Sequence, residues 1–161
     1  MLARTLEKAQ SAGAALVIID TPLLAQAEAR AAAQSADLIL IPRRPRPFDL
    51  YAIRTTAGLA LDSGKPVFVV FNAGPPRGTT AYIEAAEVAT MIGFQVTPMH
   101  LTERAAFHVA THVATRGRRV AQEMEPDGKA AGEMAALWDW IRNQLKLQSR
   151  NHRIKMAGNH K

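Results

Sequence analysis

The sequence predicts an α/β fold: a parallel sheet flanked by helices. Three observations lead there. Leu16–Ile19, Leu38–Ile41 and Val67–Phe71 are apolar runs without polar alternation, the composition of strands covered on both faces. Segments rich in helix formers separate them, so helices and strands alternate along the chain. Each run also ends in a segment able to do chemistry, Asp20-Thr21-Pro22, Pro42-Arg43 or Asn72-Ala73-Gly74. Sheets of this kind bind ligands at the carboxyl ends of their strands.

The elements follow in order. Thr5–Ala12 suits a helix closed by Gly13, and Leu16–Ile19 is the first strand. Ala25–Gln34 is an alanine-rich helix carrying Glu28 and Arg30. Leu38–Ile41 is the second strand, stopped by Pro42 and the loop Arg43-Arg44-Pro45-Arg46-Pro47. Asp49 can cap a helix to Asp62, ended by Ser63-Gly64. Val67–Phe71 is the third strand. Thr79 or Thr80 caps a helix to about Ile92, closed by Gly93, and Phe94–Val96 is a short fourth strand. Glu103–Ala114 is helical, and the last helix covers about Ala130–Leu145. Its Met134, Leu137, Trp138, Ile141 and Leu145 form one apolar stripe, which predicts Trp138 in the core and Trp140 nearer the opposite face. Right-handed crossovers between parallel strands then give a doubly wound or similar three-layer arrangement.

Bulk properties narrow the class. At 161 residues, 48% apolar and 21% charged, the chain has the composition of one ordinary globular domain. No apolar run approaches the roughly 18–20 residues of a membrane span, and the first residues lack the apolar core of a secretion signal. Cysteine is absent, which excludes disulfides, thiolate metal sites and thiol nucleophiles. A cytoplasmic location without membrane association is expected. The net charge of +6 is concentrated in Lys146, Arg150, Arg153, Lys155 and Lys161, in an end stretch with no acid. Residues 148–161 are read as a basic, unstructured tail, a segment that would be drawn to phosphate backbones in a salt-dependent way. The rest of the chain, 1–147, is nearly neutral.

Asp20 is the sharpest chemical candidate. An aspartate leaving a buried strand can hold magnesium, directly or through water, because a hard cation takes oxygen ligands. The same residue can instead cap a backbone N–H in a strand-to-helix turn. Thr21 and Pro22 start a stiff loop after it. His108 and His112 stand at i, i+4, but Val109 occupies the place where a zinc protease needs glutamate. Arg116, Arg118 and Arg119 cluster near a turn, where they can contact DNA phosphates or simply be solvated. No G-x-S-x-G elbow occurs.

Ile19-Asp20-Thr21-Pro22, Ala36–Pro42 and Pro45-x-Pro47-Phe48-Asp49-Leu50 together resemble the ParA/MinD family of deviant-Walker partition ATPases. The resemblance continues through Phe71–Gly78, Arg104-Ala105-Ala106-Phe107, Gly128–Glu133 and Ala136–Ile141. It covers about residues 1–145 and is nearest to the short ParA proteins of plasmids. It implies a P-loop NTPase-like fold, ATP and Mg2+ as ligands, and dimerisation across the nucleotide. It also implies non-specific DNA binding and a centromere-binding, ParB-like partner. Asp20 would be the Walker B acid organising magnesium and water, with Thr21 and Pro22 in the switch. Asn72 would read the adenine edge, and the loop from Pro98 to Arg104 would lie near the base.

The departures define a second set of expectations. The family's K-G-G-x-G-K-[ST] phosphate loop is absent, and the Gly-Lys pairs Gly64-Lys65 and Gly128-Lys129 do not substitute for it. Leu23 replaces a switch proline, and Arg43 and Arg46 make the loop after the second strand unusually basic. The fold is therefore read as incomplete, lacking the phosphate-loop strand between Leu16–Asp20 and Leu38–Pro42. That loss should leave a cleft or force two strands together, with poor solubility from the open edge. The chain is expected to be the C-terminal portion of a ParA-like ATPase, inactive alone, completed by the missing half or by a full-length ParA-like protomer. Two alternatives are a non-catalytic adaptor or inhibitor docking on such a protomer, and an ATP-dependent ligase resembling dethiobiotin synthetases.

Overall fold

A computed structural model describes residues 1–21, 26–46, 54–75, 79–107, 123 and 128–147. Its elements are α1 (Leu2–Ser11), α2 (Gln26–Ser35), β1 (Ile39–Arg43), α3 (Arg54–Leu61), β2 (Val67–Phe71), α4 (Thr80–Met91), β3 (Gln95–Val96) and α5 (Lys129–Gln144). The three strands form one parallel sheet in the order β1-β2-β3. Ile39 stands opposite Val67, Ile41 opposite Val69 and Arg43 opposite Phe71, while Val96 stands opposite Val69.

Both faces of β2 are covered, as an uninterrupted apolar run requires. Val67, Val69 and Phe71 point to one face, where Tyr82, Ala85 and Ala89 of α4, Ala60 of α3 and Phe94 complete the buried cluster. Phe71 meets the Tyr82 ring edge-on at 5.3 Å between centroids. On the other face Phe68 meets Trp140 of α5 edge-on at 4.8 Å. The small residues Ala85 and Ala89, fully buried, let α4 lie close on the sheet.

Four sequence expectations need correction. Leu16–Ile19 forms no strand: the segment pairs with nothing in the sheet, and Val17 and Ile18 are 42% and 84% exposed. An apolar run becomes a strand only where a partner edge reaches it. Among the described residues β1 pairs with β2 alone, and 16–20 joins no ladder. A hollow of about 360 Å3 lies instead among Ala14–Val17, Asp37 and the end of α5 at 144–147. Second, β1 runs through Pro42 to Arg43 rather than stopping. Pro42 has no N–H to contribute, and an edge strand tolerates that. Third, Trp138 is 43% exposed, whereas Trp140 is half-buried and packs edge-on against Phe68 of the sheet. Fourth, α1 begins at Leu2, a turn earlier than expected.

Helix ends follow the glycines. Gly13 (φ 76) and Gly93 (φ 97) take the left-handed conformation after α1 and α4. Each stop carries the paired bonds of a Schellman motif: Ala14 N–H donates to Ala9 O, and Phe94 N–H to Ala89 O. α5 ends in the same geometry without glycine, on Lys146 (φ 51), with Leu147 N–H donating to Arg142 O. The tail 148–161 and most of the expected Glu103–Ala114 helix lie outside the described residues. Among the described residues no helix is long and apolar enough to cross a membrane.

Candidate functional site

The site grows from the carboxyl ends of β1 and β2. Where β2 leaves the sheet, Asn72 N–H donates to Arg43 O at 2.7 Å, holding the two strand ends in register. Ala73 then adopts φ 49, a left-handed conformation that costs a non-glycine residue about 1–2 kcal/mol. The turn aims Gly74 at the segment following β3. Gly74 N–H donates to Leu101 O, and Glu103 N–H donates back to Gly74 O at 2.9 Å, so Gly74 and Thr102 form a parallel bridge. Thr97, buried below that segment, donates its hydroxyl to Met99 O at 2.6 Å and fixes the turn leading into it.

Gly74 is required here for space. A Cβ on it would stand 2.8 Å from Cγ of Pro45, which is buried. Pro45 thus anchors the basic loop after β1 on the loop after β2. Arg46 N–H donates to Arg44 O at 2.8 Å, closing a three-residue turn over Pro45. Arg44 and Arg46, on either side of it, are exposed. These loops border an open cavity of about 590 Å3 lined by Arg44, Arg46, Ala73, Gly74, Thr102 and Arg104, among others.

Glu133 of α5 ties the cavity wall to the last helix. Its Oε1 accepts from Arg104 Nη2 at 2.6 Å, Arg104 Nε at 3.1 Å and the Thr102 hydroxyl at 2.9 Å. Its Oε2 accepts from Thr102 N–H at 2.9 Å. Burial pushes this carboxyl up. The bonds from Arg104 and Thr102, with the Arg104 charge, outweigh burial and hold it below the usual carboxylate range. Arg104 is held above its ordinary value, chiefly by the bond to Glu133 and against a smaller desolvation effect. Close by, Ala130 packs against Ala106 and Phe107. Segments far apart in the chain are therefore joined at one rim.

Of the residues singled out from the sequence, Arg104 lines this cavity, half-buried. Asn72 adjoins it through Ala73 but is itself exposed. Pro98 is exposed at the start of the neighbouring loop. Asp20 and Thr21 are exposed on the segment that makes no strand, and they line neither of the two cavities. Pro22, Leu23, His108, His112, Arg116, Arg118 and Arg119 lie outside the described residues. Among the described residues no three His, Asp or Glu side chains are grouped to hold a metal ion.

Sequence reasoning missed Thr102 and Glu133 as individual residues. Glu133 sits in the Gly128–Glu133 motif, yet its partner is 29 residues earlier, beyond any helical or strand periodicity. Comparison of the chain with protein-family models, curated proteins and solved structures finds no match. Fold and site together define a small parallel α/β protein with a basic cavity at the carboxyl ends of its strands.

Proposed function

We propose that the chain is the C-terminal portion of a ParA-like partition ATPase and carries the base side of its nucleotide site. One observation carries the reading. Segments 72–74, 104–107 and 128–133, through which the resemblance runs, converge at one rim, with Thr102 beside them. They do so through the Gly74–Thr102 bridge, the Arg104–Glu133 pair and the packing of Ala130. That rim is where parallel sheets bind ligands. In this reading the adenine of ATP lies against Asn72, Arg104 and the loop from Pro98. Asp20, Thr21 and Pro22 organise Mg2+ and water once the phosphates are in place. The sequence holds no phosphate loop, so the chain alone neither retains ATP tightly nor turns it over. A full-length protomer or the complementary half supplies that loop. A ParB-like protein and non-specific DNA are the further partners, with Arg116, Arg118 and Arg119 on the DNA and the cytoplasm as the place of action.

The test is the DNA upstream of the Met1 codon. An in-frame K-G-G-x-G-K-[ST] supports the reading, and the extended product should hydrolyse ATP in a manner abolished by Asp20→Ala. Tight, magnesium-dependent ATP binding by the chain by itself would overturn it. The adaptor reading has one observation in its favour: among the described residues the second edge of β1 is unpaired while Val17 and Ile18 are exposed, which offers a partner a ladder and an apolar contact. Co-purification with a full-length ParA-like protein, strengthened by ATP, separates it from the first.

A further inference from the structure

The basic loop after β1 has no part in that reading, and it supplies the least expected chemistry on the molecule. Arg44 and Arg46 both line the cavity and are both exposed. Among the described residues neither guanidinium lies within ion-pair distance of a carboxylate. Arg104, the third arginine of the lining, is occupied by Glu133. Glu103 is the carboxylate of the lining, which leaves the Arg44–Arg46 side as the cationic end. That end is rigidly carried: Pro45 between the two arginines is buried against Gly74, and the Arg46 N–H to Arg44 O bond closes the turn.

The geometry points to a binding site for a phosphate monoester, with Arg44 and Arg46 holding the phosphoryl group in the cavity between the loops after β1 and β2. A guanidinium presents paired N–H donors that match phosphate oxygens. Two of them on one short turn fit a group carrying between one and two negative charges better than they fit a single carboxylate. A volume of about 590 Å3 lies within the range of small-molecule sites and leaves room for a sugar or nucleoside beyond the phosphoryl group. The cavity is the one in which the nucleotide reading lays the adenine, but neither arginine belongs to the residues on which that reading rests, so the two can fail separately.

The test uses the whole chain with AMP and glucose 6-phosphate as probes, titrated at constant ionic strength and followed by calorimetry. Saturable binding of either probe is expected, weakened at least about tenfold in Arg44→Gln/Arg46→Gln by loss of charge-assisted bonds. Arg44→Lys/Arg46→Lys, which keeps the charge but not the paired donors, should fall between. Arg4→Gln/Lys8→Gln, which removes two exposed charges from α1, should bind as the unaltered chain does. Thermal melts establish that the loop variants remain folded. Equal weakening in both double glutamine variants would mean diffuse charge attraction and would overturn the proposal, as would no saturable binding of either probe. Equal affinity for AMP and glucose 6-phosphate supports this site while counting against an adenine subsite. A preference for AMP supports both.

Discussion

Arg104 and Glu133 are joined through a single oxygen: Nε and Nη2 of Arg104 both donate to Oε1 of Glu133, at 3.1 and 2.6 Å. Both side chains are largely shielded, at 29% and 20% exposure, so solvent screens the pair less than a surface ion pair. Because Thr102 also gives Glu133 its amide and its hydroxyl, one carboxylate gathers four donor contacts from one loop. α5 is thereby fastened to the cavity wall, whose opposite bond is the Gly74–Thr102 bridge.

The fastening is pH-dependent, with a sign fixed by the carboxylate. The folded state holds Glu133 below its ordinary value, so its contribution is complete above the unfolded carboxylate range. The contribution is lost as pH falls through the lowered folded value. Urea titrations of the unaltered chain and of Glu133→Gln should differ most at neutral pH and converge on acidification. A difference that grows towards low pH would contradict this assignment. At neutral pH Glu133→Gln should also speed exchange of the Thr102 amide, whose acceptor it weakens.

Phe71 is fully buried where β2 meets α4, with Tyr82 edge-on against it. Phe71→Ala removes that ring from a closed cluster and should cost about 3–5 kcal/mol, the usual range for a buried phenylalanine. Set against about 5–15 kcal/mol for a typical domain, that removes a large share of the stability and should lower the denaturation midpoint markedly. Chemical denaturation followed by circular dichroism measures it. Trp138→Ala, at a position 43% exposed, should change stability far less than Trp140→Ala, whose ring packs on Phe68, which reverses the order that the sequence stripe suggests.

That reversal shows which parts of this fold a sequence can reveal. β2 was legible to the residue, because Val67–Phe71 is covered on both faces and burial leaves an uninterrupted apolar signature. The glycine stops at Gly13 and Gly93 were legible because only a positive φ needs them. Leu16–Ile19 carries an equally apolar signature and makes no strand, since composition records what a segment would bury and not whether an edge is present to receive it. Trp138 and Trp140 were exchanged although Leu137 is buried as expected, because the two flank Leu137 on opposite sides and periodicity does not say on which side the sheet lies. Arg104 was visible through a motif, whereas its link to Glu133 depends on how α5 docks, which no local pattern encodes.

Close approach rather than backbone conformation explains Gly74. Gly74→Ala would bring a Cβ to 2.8 Å from the ring of Pro45, which cannot swing aside as a flexible side chain can. The expected cost is about 1–3 kcal/mol, the range for overpacking, with the Arg44–Arg46 turn displaced from β2. Gly58→Ala is the matched control, since open space surrounds that position inside α3. It should stabilise the chain by about 0.5–1 kcal/mol, the helix preference of alanine over glycine. Opposite shifts in thermal midpoint are the expected outcome; destabilisation by both would remove the steric argument for Gly74.

Lys146 supplies the converse case. It occupies the left-handed position after α5 at φ 51, where α1 and α4 have Gly13 and Gly93, and the carbonyls of Arg142 and Asn143 are satisfied in the same way. Its side chain is exposed and has no ion-pair partner among the described residues, so the residue contributes mainly strain. Left-handed backbone costs an L-residue about 1–2 kcal/mol, and glycine gives back about 0.5–1 kcal/mol through the entropy of the unfolded chain. Lys146→Gly should therefore stabilise the chain by up to about 1 kcal/mol, read as a raised denaturation midpoint with an unchanged slope. A lowered midpoint would mean that Lys146 makes a contact in solution worth more than the strain it carries.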